Sequence, residues 1–329
     1  MLLINNHNEH DAAVNLALEE YVLRNASTDE DLLLLYINAP SIIIGRHQNT
    51  WEEINHSFVE RNGIQVVRRL SGGGTVYHDL GNLNYSYITP SRPEDFRNFK
   101  KFTGPAVQTL AMLGVPAVLS ERNDLLIEGR KISGNAQYIS RGRMVSHGTL
   151  LFNADIAHVS EALKVQVGQF TSKAIKSVRS PVTNISAFLQ QPMPIEQFQT
   201  LLMAQLFPGE PQPPQYPLTA DDWAAIHRLA DERYRSWEWT YGHSPDFTVE
   251  RRVAFSAGDS LFRMEIRQGI IRSVTVSGDA FTGPECERLE KLLIGVRYRG
   301  ADIVQACKNE AGQGAFLGLD LQLLGASLA

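Results

Sequence analysis

The sequence is organised around the stretch Arg68-Arg69-Leu70-Ser71-Gly72-Gly73-Gly74-Thr75-Val76-Tyr77-His78-Asp79, which follows directly on a short segment typical of a strand, Gln65–Arg69. Three successive glycines lack Cβ atoms, so their backbone can adopt positive φ angles and turn N–H groups towards an anion. The two arginines add forked, charged donors that suit phosphate or carboxylate. The order of residues is neither that of a P-loop nor that of a dinucleotide-binding turn. The stretch therefore predicts either a loop for a nucleotide or acyl phosphate, or a glycine-rich turn with surface arginines.

A second informative stretch, Glu128–Gln137, places Lys131 among small and apolar residues. An ammonium group aimed inward from such a strand would stabilise negative charge that develops on a phosphate or carbonyl oxygen. Spacing alone favours the simpler interpretation, a solvated lysine, because most lysines are exposed.

The segments around these two stretches have a mixed α and β pattern. Asp11 can cap a first helix whose apolar residues share one face. Further helices are predicted at Trp51–Arg61 and Phe96–Leu113. The segments predicted as strands are Leu32–Ile37, Ser41–Gly45, Gln65–Arg69, Asn82–Ile88, Asp124–Glu128, Arg130–Ala136 and Arg143–Phe152. The order lacks the regular strand–helix alternation of a doubly wound fold.

The C-terminal part of the chain has a pattern of its own. Two apolar segments, Leu261–Ile266 and Ile271–Val276, flank Gln268-Gly269 as a hairpin, and helices are predicted at Glu285–Ile294 and Ala301–Lys308. We place the boundary after His243, which predicts one domain over residues 1–243 and a small α+β domain over residues 244–329.

The composition excludes several classes of protein. Lys and Arg number 31 against 36 Asp and Glu, so the net charge of −5 gives no global basic field for nucleic acid, although a local basic patch stays open. The longest apolar run, Leu32–Ile37, is too short to span a bilayer, and no secretory signal precedes it. We therefore expect a cytoplasmic protein with neither a membrane nor a nucleic-acid partner. The two cysteines, Cys286 and Cys307, fit neither a disulfide framework nor a zinc site.

These stretches together closely resemble the lipoate–protein ligase family of the biotin/lipoate ligase superfamily. The family's RRxSGGGxVxHDxGN run stands here as Arg68–Asn82, and its GxKxSGxAQ run as Gly129–Gln137. Shorter family motifs correspond to Asn15–Glu20, Gly45–Asn49, Val145–Leu151 and Ser236–Trp239. The resemblance covers nearly the whole chain. It implies an α+β fold with a mixed, largely antiparallel sheet flanked by helices, followed by a small α+β accessory domain.

The resemblance implies a two-step ligase. Lipoate and ATP would give lipoyl-AMP and pyrophosphate, and the adenylate would then acylate a specific lysine of a lipoyl domain. Lys131 would be the catalytic residue, bridging the lipoyl carbonyl oxygen and the α-phosphate. Contacts with ATP or the adenylate are implied for Arg69, Gly72, Gly73, Gly74, Thr75, Val76, Tyr77 and Lys131. Contacts with lipoate are implied for Lys131, His78 and Gly74.

Two of these assignments have competing interpretations. Asp124 would hold Mg²⁺ in the ligase, but it also fits an exposed carboxylate in a turn. His78, like His147, also fits a hydrogen-bonded structural histidine. The implied substrates are ATP and lipoate. The implied partners are lipoyl-domain proteins, namely E2 subunits of 2-oxoacid dehydrogenases and the glycine cleavage H protein.

Other functions compete with the ligase. An octanoyl or lipoyl transferase would use a preformed activated acyl donor, and the thioester route needs a cysteine nucleophile. The chain has no cysteine before Cys286, which argues against that route. A non-catalytic protein that binds lipoyl domains is the other alternative. It would have little need for Arg69, three glycines and Lys131 together.

Overall fold

The computed structural model describes residues 1–164, 170–311 and 320–328, and its contacts divide the chain into two compact units. The first unit comprises Met1–Arg46, Gly63–Glu161 and Ser177–Ser236. The second comprises His47–Asn62, Ala162–Lys176 and Trp237–Ala329. The second unit therefore includes two earlier segments of the chain, and the boundary after His243 stays a prediction. Among the residues described, no helix has both the length and the apolar character that a membrane span requires.

The strands are β1 Leu2–Ile4, β2 Leu32–Ile37, β3 Ser41–Ile44, β4 Gln65–Arg68, β5 Val76–His78, β6 Asn82–Pro90, β7 Val118–Leu119, β8 Leu125–Ile127, β9 Arg130–Ser133, β10 Asn135–Ser140, β11 Arg143–Leu151, β12 Phe170–Ser172, β13 Phe247–Phe255, β14 Gly258–Arg267 and β15 Ile270–Gly278. The α-helices are α1 Ala12–Asn25, α2 His56–Arg61, α3 Phe99–Met112, α4 Ile156–Ala162, α5 Ile195–Leu206, α6 Ala220–Leu229, α7 Gly283–Leu293, α8 Gly300–Ala311 and α9 Leu321–Leu328. Short 3₁₀ turns lie at Thr50–Glu52 and Ile185–Phe188, and π-helical turns lie at Ala230–Tyr234 and Glu238–Gly242.

The first unit is built on a five-stranded sheet in the order β1-β2-β6-β11-β10. Only the β1–β2 pair is parallel in this sheet. Two three-stranded sheets, β4-β3-β5 and β7-β8-β9, complete the unit. The prediction of a mixed, largely antiparallel sheet flanked by helices is confirmed. Antiparallel neighbours with short connections suit the absence of strand–helix alternation in the sequence.

Helix α1 begins where the sequence predicts, because the Asp11 carboxylate accepts hydrogen bonds from the backbone N–H groups of Ala13 at 2.7 Å and Val14 at 3.4 Å. The helix contacts β6 and β11 of the large sheet, and most of its side chains are buried. These include Glu19, a charged residue that is only 4% exposed. A carboxylate in such a position needs partners, since burial without hydrogen bonds is costly.

Two predicted elements are divided in the structure. The helix predicted over Trp51–Arg61 is a 3₁₀ turn followed by α2, because the Asn55 side chain accepts a hydrogen bond from the backbone of Phe58 and so starts a new helix. The strand predicted over Arg130–Ala136 stops at Gly134. Before this glycine β9 pairs with β8, and after it β10 pairs with β11, so the chain changes sheets there.

The second unit contains the four-stranded antiparallel sheet β12-β13-β14-β15 and helices α7, α8 and α9. Trp51 belongs to its core, with ring centroids 5.3 Å from Phe247 and 5.6 Å from Tyr298. The hairpin and the first two helices agree with the sequence-based expectation within a few residues. The accessory α+β architecture is therefore confirmed.

Candidate functional site

The glycine loop (residues 71–75) joins β4 to β5 and is held from beneath by Arg69. The guanidinium donates to the carbonyl oxygens of Gly72 at 2.6 Å and Gly74 at 2.8 Å, to that of Ile43 at 3.0 Å, and to the Ser71 hydroxyl at 2.9 Å. These bonds turn two loop carbonyls inward. Arg69 was predicted as a contact for ATP, and in the structure its donors shape the loop itself.

Both arginines of the motif are buried, so the alternative of surface arginines is wrong. Arg68 is 0% exposed and donates to the carbonyl oxygens of Gly45 at 2.9 Å and Arg46 at 3.1 Å. Burial lowers the pKa of each guanidinium to about 10, and for Arg68 the neighbouring charge of Arg69 adds to this effect. Both groups therefore remain charged at neutral pH.

Only one of the three loop glycines uses the positive φ that the sequence allows them. Gly73 has φ +89°, and a Cβ there would lie 3.1 Å from Nη2 of Arg69. Gly74 has ordinary φ, but a Cβ on it would lie 3.1 Å from Oγ of Ser177. The motif thus needs glycine for conformation at one position and for close approach at the next.

Lys131 lies on β9 and points towards Asp124. Its Nζ is 2.9 Å from Oδ1 of Asp124, and both side chains are partly exposed, at 24% and 17%. A Cβ on Gly134 would lie 3.0 Å from Nζ and 3.1 Å from Cε of Lys131. The glycine therefore leaves room for the lysine side chain, and the sequence interpretation of a simply solvated lysine does not describe this arrangement.

Strand β11 brings the two motifs to one face of the large sheet. His147 and Thr149 are two residues apart on this strand, so their side chains share a face. Nε2 of His147 lies 2.7 Å from Oγ of Ser71 in the glycine loop. Oγ1 of Thr149 accepts a hydrogen bond of 3.2 Å from the backbone N–H of Gly134, three residues after Lys131. The glycine loop and the lysine strand are thus neighbours in the fold.

A segment that the sequence analysis did not single out, residues 177–183, also connects the two motifs. Ser177 Oγ accepts a 2.8 Å hydrogen bond from the backbone N–H of Thr75. The backbone N–H of Lys131 donates to Pro181 O at 2.8 Å, and Thr183 N–H donates to Lys131 O at 3.0 Å. Four residues of chain span at most about 14 Å, so this segment keeps the loop and the lysine strand close to each other. No motif in this segment signals the role, since the contacts are mostly made by its backbone.

The remaining predicted contacts lie on β5. Val76 is half-buried, while Tyr77 and His78 are buried. Burial, with the charges of Arg69 and His147, lowers the pKa of His78 to about 3, so its ring is neutral. Asn38 Nδ2 lies 2.9 Å from Nδ1 of His78 and donates to it. The ring is thus held by the protein through its Nδ1 atom.

Among the described residues, no group of three or more His, Cys, Asp or Glu side chains is arranged to hold a metal ion. Asp124 is a single carboxylate beside Lys131. One carboxylate together with substrate phosphates is a common donor set for Mg²⁺ in enzymes that use ATP. Asp124 therefore fits that kind of site, in which most ligands come from the substrate and water.

Comparisons with known proteins agree with this geometry. The family model for the lipoyl protein ligase A/B catalytic domain matches residues 11–207, and that for the bacterial lipoate protein ligase C-terminus matches residues 244–324. The lipoate-protein ligase LplJ of Bacillus subtilis is 49% identical over 300 residues, which cover 91% of each chain.

Two solved structures resemble the chain at 26% identity. A lipoate-protein ligase A bound with ATP has a TM-score of 0.62 and covers 74% of this chain and 98% of its own. A bipartite lipoate protein ligase of Thermoplasma acidophilum, described with its E2 lipoyl domain, has a TM-score of 0.60 and covers 74% of this chain and 96% of its own.

Proposed function

Because this chain belongs to the lipoate–protein ligase family, we propose that its glycine loop and Lys131 together bind ATP and lipoate and join them as lipoyl-AMP. The protein is an ATP-dependent lipoate–protein ligase, whose product is a lipoyl group in amide linkage to a lysine of an acceptor protein. The observation that carries the residue assignment is the shared sheet face that brings the loop beside the lysine strand.

The reaction needs activation because a carboxylate is a poor electrophile. A carboxylate oxygen of lipoate attacks the α-phosphorus of ATP, and the bond to the bridging oxygen breaks as pyrophosphate leaves. In the second step the neutral amine of the acceptor lysine attacks the acyl carbon, the bond to AMP breaks, and the amine gives up a proton to solvent. Negative charge concentrates on the α-phosphate and on the acyl oxygen in these two transition states.

Lys131 is the catalytic residue in this proposal. Its ammonium group bridges the acyl oxygen and the α-phosphate, where the charge develops, and positions them for both steps. The ion pair with Asp124 and the close packing of the lysine side chain over Gly134 support this role, because they hold the charged group in place while it stays partly accessible. A positioned cation stabilises a transition state better than a mobile one.

The glycine loop supplies the contacts with the nucleotide and the acyl group. Gly72, Gly73, Gly74, Thr75, Val76 and Tyr77 bind ATP or the adenylate, and Gly74 and His78 also contact lipoate. Arg69 acts on the nucleotide through the loop that it braces, and its buried positive charge adds to the field there. For His78, support comes from Nε2, which has no hydrogen-bond partner among the described residues.

Mg²⁺ is proposed to accompany ATP, held by Asp124 and by phosphate oxygens. When bound, the ion neutralises phosphate charge and orients the leaving pyrophosphate. Lys131, which is paired with Asp124, contacts the acyl oxygen and the α-phosphate in the same site.

The acceptors are lipoyl-domain proteins, and we propose E2 subunits of 2-oxoacid dehydrogenases and the glycine cleavage H protein among them. Support comes from the archaeal ligase described with its E2 lipoyl domain. We place the reaction in the cytoplasm, where ATP is available for the first step.

The test is the intact mass of a purified apo lipoyl domain after incubation with this protein and free lipoate, with and without Mg-ATP. We expect a lipoyl mass increase that requires ATP. Modification from supplied lipoyl-AMP alone would instead indicate a transferase, and binding without modification would indicate a non-catalytic protein. Repeating the assay with an H protein and an E2 domain ranks the acceptors.

A further inference from the structure

A chain of hydrogen bonds runs from Arg69, which braces the glycine loop, to the first helix. Arg69 Nε donates to Ser71 Oγ at 2.9 Å, Ser71 Oγ lies 2.7 Å from His147 Nε2, and His147 Nδ1 lies 2.9 Å from Glu19 Oε2. Ser86 Oγ donates to the same carboxylate oxygen at 2.6 Å. The chain connects the loop, β11, β6 and the first helix.

The two ends of this chain have a defined direction. The Glu19 carboxylate can only accept, so Nδ1 of His147 carries the proton. The other ring nitrogen, Nε2, pairs with the hydroxyl of Ser71. Its oxygen in turn accepts from Arg69, which leaves the Ser71 hydroxyl fixed from both sides.

Three residues of this hydrogen-bond chain are buried, so the loss of a hydrogen bond would be costly for them. Ser71 is 1% exposed, Glu19 is 4% exposed and Arg69 is 6% exposed. Burial would raise the pKa of Glu19, but the charge and hydrogen bond of His147, helped by Ser86 and Arg69, outweigh it and lower the pKa. The carboxylate therefore stays ionised. If the loop moved, Arg69 and His147 would each lose a hydrogen-bond partner.

We infer that His147 is a positioning residue, which with Glu19 locks the hydroxyl of Ser71 and thereby holds the glycine loop in its nucleotide-binding conformation before ATP arrives. This inference rests on the proposed function of the loop. Without the lock, only a fraction of molecules has the competent loop, and the apparent affinity for ATP falls by that fraction. Lys131 stands outside the chain, so turnover at saturating ATP is retained.

Two substitutions of His147 distinguish the contact of Nε2 with Ser71 from the contact of Nδ1 with Glu19. A Gln side chain reaches the position of Nε2 and can accept from Ser71, whereas an Asn side chain reaches only the position of Nδ1 and Glu19. We expect His147→Asn to raise the KM for ATP about tenfold with kcat within about twofold, as the competent fraction falls to about one tenth. We expect His147→Gln to restore the KM to within about threefold of the original. Ser71→Ala removes only a hydroxyl group, and we expect it to raise the KM for ATP as His147→Asn does.

The measurements are kcat and KM for ATP in lipoate-dependent pyrophosphate release, and the Kd of ATP by calorimetry, all on the full chain. The matched control is His56→Gln, which removes another half-buried histidine, in the second unit, and leaves KM unchanged. An unchanged KM in both His147→Asn and Ser71→Ala overturns the inference, as does a loss confined to kcat, which a merely structural histidine would cause. If the unaltered protein does not form lipoyl-AMP, the proposed function fails, while the Kd of ATP still tests the lock.

Discussion

The ammonium nitrogen of Lys131 lies 2.9 Å from the carboxylate oxygen Oδ1 of Asp124, across the short β8–β9 pairing. Both side chains are partly exposed, and ion pairs of this kind contribute little to stability because water screens them. The role of the ion pair is therefore to orient the ammonium group of Lys131. Gly134 lies beside Lys131, and because it has no Cβ it leaves the space that the lysine side chain occupies.

Replacing Lys131 by Ala is expected to reduce lipoyl-AMP formation by about 100- to 1,000-fold, since that is the usual effect of removing one preorganised stabilising group. The melting temperature should stay within a few degrees, because the side chain is partly exposed. Pyrophosphate release at saturating substrates measures the effect. Arg130→Ala, which removes the exposed neighbouring cation, serves as the control. Near-normal turnover of Lys131→Ala would contradict the assignment.

Gly134→Ala is expected to lower kcat for adenylate formation by about tenfold. The new Cβ would lie 3.0 Å from Nζ of Lys131, so the ammonium must shift, and small displacements of a reacting group are costly. Stability should change little, because the contact is with the flexible end of a side chain. Gly242→Ala is the matched control, as its Cβ would meet no atom nearer than 3.5 Å. Equal kcat in the two variants would refute the steric argument.

Asp124→Asn is expected to raise the Mg²⁺ concentration for half-maximal activity by about tenfold, because the amide retains a hydrogen-bond acceptor for Lys131 but loses the charge that attracts the ion. The measurement is a Mg²⁺ titration of pyrophosphate release at fixed ATP. Glu128→Gln, in the adjoining turn, removes an exposed carboxylate and should leave the titration unchanged. An unaltered Mg²⁺ requirement in Asp124→Asn would remove Asp124 from the metal site.

Stability is expected to fall as the pH is lowered from 7 to 5, in part because of His78. Its pKa is 6.5 in the unfolded chain and about 3 in the fold, so below pH 6.5 the unfolded state binds a proton that the folded state does not. The contribution between pH 7 and pH 5 is about 2 kcal/mol. Urea unfolding of the full chain at both pH values measures it. His78→Gln should flatten the pH dependence, and an unchanged slope would show that the histidine is not buried neutral.

Removing both cysteines, as Cys286→Ser with Cys307→Ala, is expected to leave ATP-dependent lipoylation within about twofold. Both residues lie in the second unit, on α7 and α8, and the adenylate route needs no thiol. Loss of the buried Cys307 sulfur should cost about 1 kcal/mol of stability. Intact mass of the acceptor domain gives the result. A variant that folds but no longer acylates would favour a thioester transferase.

Sequence reasoning predicted most elements of the fold because their signals are local. The Asp11 cap and the hairpin around Gln268-Gly269 each depend on residues within a few positions of one another. Two elements were predicted too long because a single residue, Asn55 in one and Gly134 in the other, redirects the chain. In both cases the hydrophobic pattern continues across the break, so periodicity could not detect it.

The sequence by itself determined the family and the glycine loop, because residue types in a short motif carry both. Only the tertiary structure decided that Arg68 and Arg69 turn inward. It also decided which groups lock the loop: Ser71 meets His147 across 76 positions of sequence, and His147 meets Glu19 across 128. Such bonds depend on how the first helix and strand β11 pack together, and no local pattern encodes that packing.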